Sequence, residues 1–346
     1  MTESAAIDVD ASPAPGAAEA LVRVSGLVRR FDVSKPWLNR VLEGRPRAVL
    51  TAVNDVSFEI PERGVYALVG ESGSGKSTIG KIAVGLLAPT DGTVTIDGVD
   101  LHREPDPAMR RRVRAQIQMV FQDPYASLNP RWRVGDIIEE PLRVFGRRGG
   151  ATGAGELLEA VGLSARDSEK FPHEFSGGQR QRICVARALA SGPHFIVCDE
   201  PTSALDVSVQ AQVLNLMKDL QANLGLTYLF ISHDLSVVRY MADRIGVLYL
   251  GGLVEEAPRD TLFAEPRHPY TRMLLEAAPR LDAFGREVPP PKGEIPDPIN
   301  PPSGCAFHPR CPLADNRCRG ERPILRQTGA LGASRVACHA VEEGRA

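Results

Sequence analysis

A glycine-rich segment early in the chain has the residue types and spacing of a phosphate-binding loop. It runs Gly70-Glu71-Ser72-Gly73-Ser74-Gly75-Lys76-Ser77 and fits the pattern G-x-x-x-x-G-K-[ST]. Glycines let successive backbone N–H groups turn toward an anion, Lys76 can reach the β- and γ-phosphates, and the Ser77 hydroxyl can bind Mg²⁺. An apolar run before the loop predicts a buried strand and the pattern after it predicts a helix, whereas a Gly/Ser-rich surface loop needs neither. We predict that the loop and Thr78 bind a nucleotide.

Two carboxylates follow a second apolar run, Phe195-Ile196-Val197-Cys198-Asp199-Glu200. Acids at the carboxyl end of a strand lie at the edge where open α/β sheets bind ligands. We expect Asp199 to hold Mg²⁺ and Glu200 to orient and deprotonate the attacking water. Many strands end in solvated acids, so this pattern gains its value from the phosphate-binding loop.

A second glycine motif precedes the acidic strand, Phe175-Ser176-Gly177-Gly178-Gln179-Arg180-Gln181-Arg182. It resembles the signature sequence of the ATP-binding cassette (ABC) ATPases. At a helix N-terminus, Ser176 and the backbone of the two glycines could cap the γ-phosphate of a nucleotide held by a partner subunit. An ordinary helix N-cap with a glycine turn is compatible with this role. The binding set predicted here is Ser176, Gly177, Gly178 and Gln179.

The resemblance to ABC ATPases implies roles for four further residues, which occur in family order. Gln122 matches the Q-loop glutamine that senses Mg²⁺ and the transporter interface, and it is the third predicted Mg²⁺ ligand beside Ser77 and Asp199. Asp206 belongs to the D-loop, and His233 matches the switch histidine at the γ-phosphate. Together with Lys76 and Glu200, Gln122 and His233 form the predicted catalytic set. Phe31 is the predicted aromatic residue that stacks on adenine, with Trp37 as an alternative and core packing as the competing explanation.

Three segments resemble the oligopeptide/dipeptide importers within this family. They are the stretch from Phe121 to Arg131, the segment Arg267-His268-Pro269-Tyr270-Thr271, and a cysteine-containing tail. The resemblance implies a second ABC ATPase subunit, with a heterodimer favoured, two transmembrane permease subunits and an extracytoplasmic substrate-binding protein. It implies a peripheral position at the cytoplasmic face of the inner membrane, with ATP and Mg²⁺ bound. The alternative is a soluble ABC ATPase of translation or DNA repair.

Four of the six cysteines, Cys305, Cys311, Cys318 and Cys338, lie in the last 42 residues with the spacing C-x5-C-x6-C-x19-C. Because a reducing compartment disfavours disulfides, the cluster predicts a metal site. The tight pairs usual in zinc sites are missing, and four thiolates can hold either an iron–sulfur cluster or zinc. Some members of the resembled family carry a [4Fe-4S] cluster here, which we favour. In the zinc case His308 and His339 are substitute ligands.

The whole chain has 346 residues, a formal net charge of -2 and no apolar run of membrane-spanning length. This charge gives no support to nucleic-acid binding. Alternating strand and helix patterns predict an α/β fold. The resemblance to ABC ATPases implies a P-loop NTPase ABC cassette with a RecA-like core, an antiparallel β subdomain and a helical signature subdomain. We divide the chain into a disordered leader (1–20), the ATPase domain (21–257) and a small C-terminal cysteine-containing extension with a proline-rich linker (258–346).

Overall fold

The structure, a computed structural model, describes residues 20–35, 39, 46–146, 153–277, 293–328 and 334–346. The predicted leader falls outside the described residues up to Ala20, where the first strand begins. Within these ranges no helix combines the length and the apolarity needed to cross a membrane.

The strands form two sheets. Their bounds are β1 Ala20–Asp32, β2 Val49–Pro61, β3 Val65–Val69, β4 Asp91–Ile96, β5 Val99–Asp100, β6 Ile117–Val120, β7 Phe195–Asp199, β8 Thr227–Ile231, β9 Arg244–Tyr249, β10 Gly252–Pro258, β11 Arg326–Thr328 and β12 Ser334–Val336. The antiparallel sheet has the order β2-β1-β4-β5, and the larger sheet has the order β11-β12-β10-β9-β3-β8-β7-β6. They correspond to the predicted antiparallel subdomain and the predicted core.

Helices connect many of these strands, and several helices follow one another between β6 and β7. Their bounds are α1 Lys76–Ala83, α2 Pro107–Ala115, α3 Pro124–Ser127, α4 Val134–Phe145, α5 Ala154–Ala160, α6 Gly177–Leu189, α7 Val207–Leu224, α8 Leu235–Met241, α9 Arg259–Ala264, α10 Pro269–Ala277, α11 Asn316–Gly320 and α12 His339–Glu342. Helices α4, α5 and α6 pack on one another, as the predicted helical subdomain requires.

The centre of the larger sheet is parallel and buried. Strand β3 pairs with β8 and β9, and β7 pairs with β6 and β8, all in parallel. Every residue of β3, β7 and β8 is buried, which accounts for their mainly apolar sequences. One face of these strands packs against helices α6, α7 and α8, and the other packs against α1 and the antiparallel sheet. The carboxyl ends of β3, β6, β7 and β8 therefore meet at one edge, and the residues that follow them build the site.

The larger sheet continues beyond the predicted end of the ATPase domain. That boundary, between residues 257 and 258, falls at the last residue of β10. Strand β12 of the extension pairs antiparallel with β10, matching Glu255 with Val336, and β11 pairs with β12. The extension thus shares a sheet with the cassette.

Candidate nucleotide site

The loop between β3 and α1 has a backbone shape that depends on glycine. Gly75, which precedes α1, has φ of 103°, and a Cβ there would lie 2.2 Å from the carbonyl oxygen of Ala52. Gly70 has φ of 150°, and a Cβ there would lie 2.3 Å from the carbonyl oxygen of Leu248. Side chains are excluded at both positions, so the loop can bring its N–H groups close to an anion.

Lys76 is buried, and its ammonium group lies inside the loop. Its Nζ donates hydrogen bonds to the carbonyl oxygens of Gly70 (2.7 Å) and Glu71 (2.9 Å) and to Ser74 Oγ (3.3 Å). Burial lowers the pKa of Lys76, while the carboxylates of Glu200, Asp199 and Glu71 oppose that shift. The lysine is thus held at the centre of the loop by carbonyl oxygens and nearby negative charge.

The two residues predicted to bind Mg²⁺ from the loop and the acidic strand are in contact. The Ser77 hydroxyl donates to Asp199 Oδ1 at 2.9 Å, although 122 positions separate them. Burial raises the pKa of Asp199, the hydrogen bond from Ser77 lowers it, and repulsion from Glu200 raises it further. A hydroxyl and a carboxylate side by side are hard oxygen ligands, so the pair fits Mg²⁺.

Glu200 lies between two predicted catalytic residues. Its Oε2 accepts a hydrogen bond from Gln122 Nε2 at 2.9 Å, and its Oε1 lies 3.1 Å from His233 Nδ1. Glu200 has φ of 48°, a left-handed conformation that is uncommon outside glycine and asparagine. The residues that follow β6, β7 and β8 therefore converge on one carboxylate.

The signature residues form the start of a helix. Ser176 is the N-cap of α6: its Oγ accepts from the N–H of Gln179 (3.4 Å), while the Gln179 side chain accepts from the N–H of Ser176 (2.9 Å). These reciprocal bonds form a capping box, which fixes Gly177 and Gly178 at the positive end of a 13-residue helix. Ser176 is thus bonded within its own helix, and its predicted contact with a partner's nucleotide stays a prediction.

The contacts of two other predicted nucleotide-binding residues, Asp206 and Phe31, lie outside the phosphate-binding loop. Asp206 is the N-cap of α7, and its carbonyl accepts from the N–H of Gln210 at 2.8 Å. Phe31, in β1, has the Arg29 guanidinium over its ring at 4.5 Å. Adenine stacking by Phe31 stays a prediction, and Trp37 lies outside the described residues.

The four tail cysteines lie near one another in the extension, with Cys305 and Cys311 against the main core and Cys338 in a small separate core. Cys318 and Cys338 are buried, and Cys305 and Cys311 are half-buried. Burial raises the pKa of the Cys305 thiol to about 11, and repulsion from the thiolate forms of the other three cysteines adds to the rise. In the parts of the chain that the structure describes, no group of three or more His, Cys, Asp or Glu side chains is arranged to hold a metal ion. The predicted metal site is therefore not confirmed.

The two histidines proposed as substitute zinc ligands are engaged elsewhere. His308 Nδ1 lies 3.0 Å from the carbonyl oxygen of Cys305, and His339 Nε2 lies 3.0 Å from the carbonyl oxygen of Glu321. Each of these contacts uses one ring nitrogen and leaves the other, so the contacts do not exclude either histidine as a zinc ligand and the zinc alternative stays open.

Sequence reasoning missed a contact between the extension and the phosphate-binding loop. The Arg310 guanidinium binds both carboxylate oxygens of Glu71, at 2.7 and 3.0 Å, and the N–H of Glu71 donates to the Tyr270 hydroxyl at 3.0 Å. Residues 71 and 310 are 239 positions apart, and no spacing rule links them. The Arg267–Thr271 segment resembles a segment of the oligopeptide/dipeptide importers, but its sequence does not indicate that Tyr270 reaches the loop.

The fold and this site define an ATP-hydrolysing cassette of the ABC class. The family profile described as ABC transporter matches residues 53–203, and the profile described as Oligopeptide/dipeptide transporter, C-terminal region matches residues 254–318. A solved structure titled as the dimeric, post-hydrolysis state of the ATP-binding cassette MJ0796 with ADP and Pi is similar, with a TM-score of 0.58 and 31% identity. That similarity covers 69% of this chain and 98% of the other.

Curated relatives extend the similarity to nearly the whole chain. A putative peptide import ATP-binding protein of Brucella abortus is 50% identical over 93% of this chain and 94% of its own length. The dipeptide transport ATP-binding protein DppF of Escherichia coli is 45% identical over 92% and 95%. The chain belongs to the family of ATP-binding subunits of oligopeptide/dipeptide-type ABC importers, and it is an ATPase. The predicted family and fold are confirmed, and the relatives favour an importer over a soluble ABC ATPase.

Proposed function

We propose that this subunit hydrolyses ATP at the site formed by residues 70–78, Gln122, Asp199, Glu200 and His233. The observation that carries the proposal is the Glu200 carboxylate, fixed between Gln122 Nε2 and His233 Nδ1 at the sheet edge beside Ser77 and Asp199. Bound Mg²⁺ would neutralise phosphate charge, with Ser77, Asp199 and Gln122 as its protein ligands. Glu200 accepts a proton from the attacking water, and Lys76 and His233 face the transferred phosphate group.

We infer that hydrolysis needs a second ABC ATPase subunit paired head-to-tail with this one. The capped N-terminus of α6 supports this, since its glycines and positive helix end suit the γ-phosphate of a nucleotide held by a partner. A heterodimer is favoured because the resembled systems contain two different ATPases. Binding of two nucleotides closes the pair, and hydrolysis releases it.

Two permease subunits would receive this motion at a surface depression beside α3 and α4. The depression has a volume of about 450 Å³, and its lining includes Tyr125, Trp132, Glu140 and Arg187. Tyr125 and Trp132 are 64% and 40% exposed, and Arg187 pairs with Glu140 at 2.6 Å. Exposed aromatic residues beside a fixed ion pair are typical of a protein-binding surface. The subunit would then lie peripherally at the cytoplasmic face of the membrane.

We propose that the cargo is a short peptide, delivered by an extracytoplasmic binding protein. The names of the relatives support this, among them the dipeptide transport protein DppF. The test is uptake of labelled di- to pentapeptides by cells that lack this gene and carry the wild-type or the Lys76→Ala chain. Uptake restored by the wild type alone supports the proposal. Uptake that does not depend on the gene, with co-purification of ribosomes or DNA, would favour the soluble alternative.

We further propose that the four tail cysteines hold a [4Fe-4S] cluster in the complete protein. Two observations support this: the Cys305 N–H donates to the Cys318 carbonyl oxygen at 2.8 Å, and Cys338 lies in a small core with Val336 and Ala340 that would gain from a metal staple. The test is anaerobic purification, followed by visible absorbance and metal analysis of the wild type and Cys338→Ser. Stoichiometric zinc without iron would overturn the cluster, and the absence of any metal would overturn the site.

A further inference from the structure

Glu71 occupies a position where the phosphate-binding pattern allows any residue, yet each of its polar groups forms a hydrogen bond. The carboxylate of Glu71 binds the Arg310 guanidinium through two hydrogen bonds of 2.7 and 3.0 Å. Its N–H donates to the Tyr270 hydroxyl at 3.0 Å, and its carbonyl accepts from Lys76 Nζ at 2.9 Å. Two of these three partners belong to the extension, and the third is the lysine of the loop.

The contact is enclosed and well oriented. The Arg310 side chain is 2% exposed and the Glu71 side chain 20% exposed. A bidentate arginine–carboxylate pair fixes direction as well as distance, and burial reduces its screening by salt. Removal of the arginine would leave the Glu71 carboxylate without its bidentate partner beside the loop that must accept a triphosphate.

Aromatic rings and a buried histidine pack around both partners. The Phe307 ring contacts the rings of Tyr249 and Tyr270, with centroids 5.2 and 5.4 Å apart, and the Arg310 guanidinium lies 5.8 Å from the centre of the Tyr249 ring. His268 Nδ1 accepts from the N–H of Tyr270 at 3.0 Å, and His268 also hydrogen-bonds the backbone of Ala337, next to Cys338. Arg310 and Tyr270 are therefore positioned by residues of the extension together with Tyr249 of β9.

We propose that Arg310 and Tyr270 are positioning residues of the ATP site: they fix Glu71 from outside the cassette and so keep the loop in its nucleotide-binding shape. The inference rests on the proposed assignment of residues 70–78 as that site. Without Arg310, the Glu71 carboxylate competes for Lys76 and repels the triphosphate, so the loss falls on nucleotide binding more than on the chemical step.

The test compares full-length variants in equilibrium binding of a fluorescent ATP analogue with Mg²⁺, and in KM and kcat for phosphate release. Arg310→Met should weaken binding and raise KM about tenfold, with kcat changed less than about twofold. Adding Glu71→Gln to Arg310→Met should restore most of the affinity, because it removes the unpaired charge. A residue that served folding alone would show no such rescue.

Two further variants complete the design. Tyr270→Phe keeps the ring and removes the hydroxyl, and should weaken binding about threefold, less than the loss of a charged partner. Arg317→Met is the matched control, because Arg317 pairs with Glu321, Glu342 and Glu343 inside the extension. It should bind ATP as the wild type does.

The outcomes separate this inference from the proposed site. Wild-type affinity in Arg310→Met, or no rescue by Glu71→Gln, would overturn the positioning role while Lys76→Ala still abolishes binding. Retained binding in Lys76→Ala would instead overturn the site assignment. If Arg310→Met fails to fold, as judged by circular dichroism, Tyr270→Phe decides: unchanged affinity there would refute the role.

Discussion

Replacing Glu200 with glutamine isolates proton transfer from the architecture of the site. The amide has nearly the shape of the carboxylate, so its oxygen can still accept from Gln122 Nε2, now 2.9 Å from Oε2. Its NH₂ group can face His233 Nδ1, which lies 3.1 Å from Oε1. The left-handed φ of 48° is unchanged, so its conformational cost is the same in both proteins. What the variant loses is a group that accepts a proton.

The expected loss follows from that difference. A positioned general base contributes about 10²–10⁴-fold to rate, which equals about 2.7–5.4 kcal/mol of transition-state stabilisation. Because Lys76, Ser77 and Asp199 keep their contacts, MgATP affinity should stay within about twofold of the wild type. The assay is steady-state phosphate release together with equilibrium binding of MgATP to the same preparation.

Glu62→Gln is the matched control. Glu62 is exposed in the turn between β2 and β3, at the end of β3 opposite the phosphate-binding loop, and the same chemical change there should leave both measurements unaltered. Turnover by Glu200→Gln within about threefold of the wild type would refute the assignment of Glu200 as the base.

Three further predictions concern stability. Burial lowers the pKa of His268 to about 3, so its contribution to folding is complete above about pH 6.5 and declines as pH falls toward 3. We expect a loss of about 3 kcal/mol by pH 4.5, and a flatter profile of thermal midpoint against pH in His268→Asn. Phe307 is 1% exposed, so Phe307→Ala should lower the free energy of unfolding by about 3–5 kcal/mol. Limited proteolysis of this variant should cleave the extension before the cassette, and equal cleavage rates of the two parts would contradict the prediction. Gly178→Ala should lower the thermal midpoint, at a cost of about 1–3 kcal/mol, because its Cβ would lie 2.2 Å from Val209 Cγ1. Gly177→Ala is the control and should be tolerated, because the nearest neighbour of its Cβ would lie at 3.6 Å. Equal thermal midpoints of the two variants would refute the packing argument.

The sequence predicted the parts of the site that depend on local pattern and strand order. The loop at residues 70–77 could be recognised because glycine spacing, lysine and hydroxyl are all local. The approach of Gln122 and His233 to Glu200 could also be predicted, because each follows a strand whose carboxyl end reaches the same sheet edge.

Contacts between distant segments were not predictable in the same way. Nothing local to Arg310 marks Glu71 as its partner, and the pairing of β12 with β10 joins residues about 80 positions apart with no alternation long enough to signal it. The cysteine spacing indicated a cluster, and the four cysteines do lie near one another, but spacing alone does not fix ligand geometry. The role of Phe31 depends on a nucleotide and on the segment after β1, which a local pattern does not determine.

The pairing of β10 with β12 has a consequence for how the chain can be divided. A protein ended at residue 257 would leave the backbone N–H and C=O groups of β10 as an open strand edge, a ready template for intermolecular pairing. It would also strip Glu256 of Arg335, one of the two arginines that flank its buried carboxylate, and leave Arg244 as the other. An isolated cassette should therefore aggregate, so the last 89 residues protect the ATPase domain from self-association as well as contacting its nucleotide loop.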